Sequence, residues 1–166
     1  MKTFVALLLL TQALAAVCQA PVTPPDPAPL KRHAIAEKLI LDRLAIWQER
    51  LQLRDWKITL LTSHPSELRA GTLGNIRWDL DGKTAVIRVL DASDYKTSFS
   101  SALKDMEFTV VHELIHLEFA TMARTDESRR EEEYAVNHMA DALLHLDHGD
   151  AWAQVATGNK TTLALR

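Results

Sequence analysis

Apolar residues along this chain repeat with a helical period, then with a strand period, then with a helical period again. Ile35, Leu39, Leu44, Ile46, Leu51 and Leu53 stand between charged residues from Lys31 to Leu53, which predicts a first helix with Trp47 as a core anchor. Trp56 to Thr62 alternates and predicts a strand. Ser63-His64-Pro65 breaks it, with His64 as a loop histidine, and 66–70 reads as a helical turn or loop ended by Gly71. Leu73 to Leu80 predicts a second strand, and Thr84 to Leu90 a third that is more apolar and more central. Asp81-Gly82 between them is a two-residue hairpin signal. After a loop from Asp91 to Lys96, Thr97 or Ser98 caps a helix running from Phe99 to about Met122. Thr125 to Ser128 connect it to a last helix from Arg129 to Leu146, stopped by Gly149. The expected fold class is α+β: an N-terminal helix, a small three-stranded twisted sheet, a central helix and one further helix packed together.

The N-terminus follows different rules. Lys2 is followed by an apolar stretch from Phe4 to Val17, interrupted by Thr11 and Gln12, with Cys18 and Ala20 as small residues before a cut. That predicts a signal peptide over 1–20 and a secreted or periplasmic protein. The stretch is short for a membrane span, so no membrane partner is expected after cleavage. Pro21, Pro24, Pro25, Pro27 and Pro29 make 21–30 an extended spacer. One domain is expected over 31–149, with a C-terminal tail over 150–166 that shows little periodicity. Cleavage would remove Lys2, taking the net charge from −3 to −4, and Cys18, the single cysteine. No disulfide and no thiol ligand would then remain. Lysine and arginine are not clustered, which argues against a nucleic-acid partner.

Chemistry concentrates in the central helix, at His112-Glu113-Leu114-Ile115-His116. Positions i and i+4 share one helical face, so His112 and His116 can aim two imidazole nitrogens at one metal ion. Glu113 lies beside the first of them, where a carboxylate can act as general base on water. Phe108, Val110, Val111, Leu114, Ile115, Leu117 and Phe119 make this helix apolar nearly all round, so it should be buried. Two histidines and a glutamate buried without partners would cost several kcal/mol, a cost that a metal ion removes. The alternative reading is a pair of satisfied core histidines.

A zinc site of this kind needs a third ligand. A third histidine six residues past His116 is absent, because that position is Met122, and Phe119 stands where a glycine would be expected. Glu133, near the start of the last helix, is the leading candidate, followed by Glu132 and then Asp126 or Glu127. Acidic residues in the Glu131-Glu132-Glu133 run also suit a helix N-terminus without any metal. Asn137, one turn past Glu133, could hydrogen-bond the outer nitrogen of a ligand histidine, with Asp141 as its rival. Ala140 is small enough to let two helices approach closely. His138 points about 100° away from Glu133 and is not expected to be a ligand.

These two motifs together, His112 to His116 and Glu133 to Leu144 (Glu-Tyr-Ala-Val-Asn-His-Met-Ala-Asp-Ala-Leu-Leu), resemble the gluzincin metallopeptidases. The chain is most similar to minimal zincin domains related to phage-repressor-cleaving peptidases, with Ala135 where that group has an acid. The resemblance covers the layout from about Trp56 to Leu146. It implies Zn2+ as cofactor, a peptide or protein substrate, and an edge strand of the sheet bordering the cleft. On that basis His112, His116 and Glu133 are the expected zinc ligands and Glu113 the catalytic base. Tyr95, Tyr134, His138 and His145 are candidates for stabilising an oxyanion. Two rival readings are a zinc-binding interaction protein without turnover (of toxin, immunity or inhibitor type) and a helical scaffold whose histidines are incidental.

Overall fold

The structure, a computed structural model, describes residues 26–123 and 125–149. The expected signal peptide, the first half of the spacer and the C-terminal tail lie outside the described residues. The elements in chain order are α1 (Pro29–Arg50), β1 (Lys57–Ser63), a 3-10 turn (Pro65–Glu67), β2 (Gly74–Asp79), β3 (Thr84–Leu90), α2 (Phe99–Glu118) and α3 (Asp126–His148). This is the α+β class expected from the pattern.

The sheet order is β1-β3-β2, which puts the most apolar strand in the centre. β1 runs parallel to β3 and β2 antiparallel to it. The register pairs Ile58 and Leu60 with Ala85 and Ile87, and pairs Gly74, Ile76 and Trp78 with Val89, Ile87 and Ala85. Alternate residues share a face, so these positions form one apolar surface. α2 lies against β2 and β3, and α1 and α3 flank α2. Ile40 and Trp47 of α1, Met106, Val110, Val111, Leu114 and Ile115 of α2, and Val136, Ala140 and Leu144 of α3 complete one continuous core. The central helix is therefore buried as its composition predicts.

Several boundaries differ from the sequence reading. α1 starts at Pro29 because the proline occupies the first helical position, where its missing N–H costs nothing. It ends at Arg50, before Leu53, because Gln52 takes a left-handed φ of 56° and the Gln48 amide donates to the Leu53 and Trp56 carbonyls across the turn. α2 is capped by the Ser98 side chain, which accepts from the Ser101 N–H, and it stops at Glu118. α3 begins three residues earlier than expected, since Thr125 and Ser128 cap it reciprocally. Asp81-Gly82 lies within a four-residue connection, 80–83, and the positive φ falls on Lys83. The carboxylate of Asp79 accepts from the Asp81 and Gly82 N–H groups and so holds this longer loop.

Candidate metal centre

Two helices build the site. α2 presents His112, Glu113 and His116, held in place by Val110, Val111, Leu114 and Ile115, which are completely buried around them. α3 runs past this turn of α2 and presents Glu132 and Glu133. The Nε2 atoms of His112 and His116 are 3.1 Å apart. Glu133 offers one carboxylate oxygen to each of them, at 3.5 Å from His112 Nε2 and 3.4 Å from His116 Nε2. Nitrogen and oxygen ligands about 2.0–2.1 Å from one tetrahedral zinc ion stand roughly 3.3 Å from each other. The nitrogen–nitrogen separation is near that spacing, each Glu133 oxygen stands at about it from one of the nitrogens, and donors carrying lone pairs this close repel one another unless a proton or a cation lies between them. The residues present therefore fit a zinc ion. One oxygen of Glu113 also lies within 4.8 Å of a ligand nitrogen of each histidine.

The electrostatics follow from unequal burial. Burial pushes Glu113 up to about 7, against the pull of His112 and His116. Glu133 is 57% exposed and its carboxyl is held well below the usual range, first by His112 and then by His116. Burial by itself would lower His116, but Glu133 and Glu132 outweigh it and raise its value. The cluster thus contains a buried glutamate poised near neutrality beside an exposed glutamate that stays ionised. Unequal burial thus separates the two carboxyls, raising Glu113 and lowering Glu133.

Glu132 does not compete with Glu133 for the metal face. Its Oε1 is 2.7 Å from Nδ1 of His116, on the opposite edge of the ring. The outer-nitrogen role expected of Asn137 or Asp141 is therefore taken by Glu132 at His116. At His112 the outer Nδ1 is buried without a hydrogen-bond partner, and so is Oδ1 of Asn137. Ala140 is fully buried between the helices as its size suggests. Asp126 and Glu127 are exposed in the first turn of α3. Tyr134 is exposed and its ring packs against His138 in a tilted arrangement, 4.3 Å between centroids, on a different face of α3 from Glu133. His145 is exposed. Tyr95 is packed against the core, and burial raises its hydroxyl far above the ordinary tyrosine value, with Asp105 adding to the effect.

β2 is an edge strand that runs directly beside this turn of α2. A Cβ added at Gly74 would lie 2.3 Å from Cγ2 of Thr109 and 3.3 Å from Oε1 of Glu113. The edge strand thus borders Glu113.

A second cluster was not foreseen. Glu107 is 4% exposed. Its Oε1 accepts from Trp47 Nε1 at 3.2 Å and pairs with Arg43 Nε at 3.3 Å, while its Oε2 is 3.1 Å from His148 Nε2. Asp147 meets Arg50 at 2.8 Å and Arg43 at 3.5 Å. Glu107, Asp147 and His148 are ligand-type residues close together, but Arg43 and Arg50 already balance both carboxylates. A divalent ion there would face two guanidinium charges, so the cluster is a clip joining α1, α2 and α3. The sequence signal that could have revealed it is an acid between Met106 and Phe108 in an otherwise apolar stretch.

Comparison with protein-family models, with curated proteins and with solved structures found no match to this chain.

Proposed function

We propose that this protein is a zinc metallopeptidase of the gluzincin type, acting after export from the cytoplasm. The observation that carries the reading is the convergence of His112 Nε2, His116 Nε2 and the two oxygens of Glu133 within 3.1–3.5 Å, with buried Glu113 alongside. A structural zinc site needs no such buried base, which favours turnover over silent binding.

His112, His116 and Glu133 would hold the ion. Zinc bound there supplies Lewis acidity, which brings the pKa of water toward 7 and polarises a peptide carbonyl. Glu113 accepts the proton of the attacking water as the carbon–oxygen bond forms. It then delivers that proton to the amide nitrogen as the carbon–nitrogen bond breaks. Burial raises Glu113 in the metal-free protein, and a bound cation would draw it back toward the carboxylate form that accepts the proton. The flanking edge strand β2 offers backbone groups to an extended peptide, a recognition mode that suits a cleft bordered by a sheet edge.

The test is zinc content and cleavage of a fluorogenic peptide library by mature protein, wild type beside Glu113→Gln and His116→Ala. One zinc per chain and peptide cleavage in the wild type are expected. Glu113→Gln should keep the metal and lose cleavage, and His116→Ala should lose both. A wild type that binds no zinc after reconstitution would sink the reading. Zinc bound without cleavage of any peptide would favour the silent zinc-binding protein.

A further inference from the structure

Two consecutive glutamates straddle one imidazole. Glu133 Oε1 stands 3.4 Å from Nε2 of His116, and Glu132 Oε1 stands 2.7 Å from Nδ1 of the same ring. Neighbouring helical residues diverge by about 100°, so one turn of α3 can reach both edges of a ring that α2 presents to it. The side chains of His116 and Glu132 are only 8% and 10% exposed, so their contact is largely shielded from water.

A neutral imidazole carries one N–H. If that proton sat on Nε2, the Nδ1 lone pair would face a carboxylate oxygen at 2.7 Å, a repulsive contact. With the proton on Nδ1 the contact becomes a charge-assisted hydrogen bond, and the Nε2 lone pair is left facing His112 and Glu133. His112 has no such support, because its own Nδ1 is buried without a partner. The two candidate ligands are therefore held unequally.

We infer that Glu132 is the positioning residue of the metal site: it accepts the Nδ1–H of His116, fixes that tautomer and ring orientation, and makes His116 the anchored ligand. The inference rests on the zinc reading above and adds a role that neither the motif nor helical phase assigns. Carboxylates behind metal-bound histidines are generally worth 10–100-fold in metal affinity.

The experiment is zinc affinity by competition with a chromophoric chelator, on mature wild type, Glu132→Ala and Glu132→Gln. It is paired with long-range 1H–15N spectra of the metal-free proteins at a pH where the imidazoles are neutral. Both Glu132 variants should still bind one zinc, with affinity reduced about 10–100-fold in Glu132→Ala and less in Glu132→Gln, whose amide oxygen still accepts. His116 should be the Nδ1–H tautomer in the wild type and in Glu132→Gln, and a tautomer mixture in Glu132→Ala. If Glu132→Ala does not fold, the Glu132→Gln affinity and the wild-type tautomer decide. Wild-type affinity in the variants, or an Nε2–H tautomer in the wild type, overturns the positioning role while zinc binding by the wild type stands. Complete loss of zinc from a folded Glu132→Ala makes Glu132 a direct ligand and also overturns it. A wild type that binds no zinc overturns the role and the peptidase reading together.

Discussion

Gly74 of β2 lies so close to Thr109 of α2 that a Cβ built on the glycine would stand 2.3 Å from the Thr109 methyl carbon. The Thr109 hydroxyl donates to the Asp105 carbonyl one turn back, which leaves the methyl turned toward the strand. Here the glycine is required by the distance between strand and helix, since its φ is not positive. Gly74→Ala should destabilise the fold by about 1–3 kcal/mol through overpacking. Adding Thr109→Ser should recover part of this loss but not all, because the Arg88 carbonyl is also within 2.7 Å of the added carbon. Urea midpoints of the single and double variants check it. A neutral Gly74→Ala would mean that β2 does not approach α2 this closely.

The buried clip makes a separate prediction. Glu107 and His116 are nine residues apart, half a turn around α2 at 100° per residue, so they lie on opposite sides of the helix. Glu107→Gln removes the charge that Arg43 and His148 face inside the protein. It should cost about 3 kcal/mol, as breaking a buried ion pair generally does. Zinc stoichiometry should stay at that of the wild type. Loss of metal from a folded Glu107→Gln would show that the clip and the site are coupled.

Asp91 should contribute to the loss of stability in acid. Burial pushes its carboxyl up, but the Ser93 hydroxyl and N–H and the His33 ring outweigh this and hold it below its ordinary 3.8. A carboxyl with a lowered folded value contributes stability that is present above the unfolded pKa and is lost as pH falls through the folded one. Asp91→Asn should therefore be less stable than wild type at neutral pH, with the gap closing below about pH 3.8. Denaturant midpoints over a pH series measure it. A gap that is constant down to strongly acidic pH would exclude Asp91 as the source.

Metal binding and thermal stability should be linked. An ion bound only by the folded state at 100 times its dissociation constant adds about 2.7 kcal/mol. For a domain of this size that is a rise in Tm of roughly 5–10 °C. A strong chelator should reverse the rise in the wild type and leave His116→Ala unchanged. Equal melting curves with and without zinc in the wild type would contradict a site shared by α2 and α3.

The chain pattern by itself determined whatever depends on near neighbours in sequence. The limits of β3, the capping at Ser98 and Gly149, the apolar surround of α2 and the i, i+4 pairing of His112 with His116 are local facts, readable from periodicity and side-chain type. The fold class follows from the order of those periods. The tertiary structure decided what depends on how one helix rolls against another. Helical phase places Glu132 and Glu133 about 100° apart, but only the docking of α3 on α2 sets Glu133 before both Nε2 atoms and Glu132 behind His116. The same docking left Asn137 without the contact its spacing suggested. The parallel pairing of β1 with β3, and the clip from Arg43 through Glu107 to His148, join residues tens of positions apart, and no local pattern encodes such a partner. Local rules fix which side chains share a face, and packing fixes what that face meets.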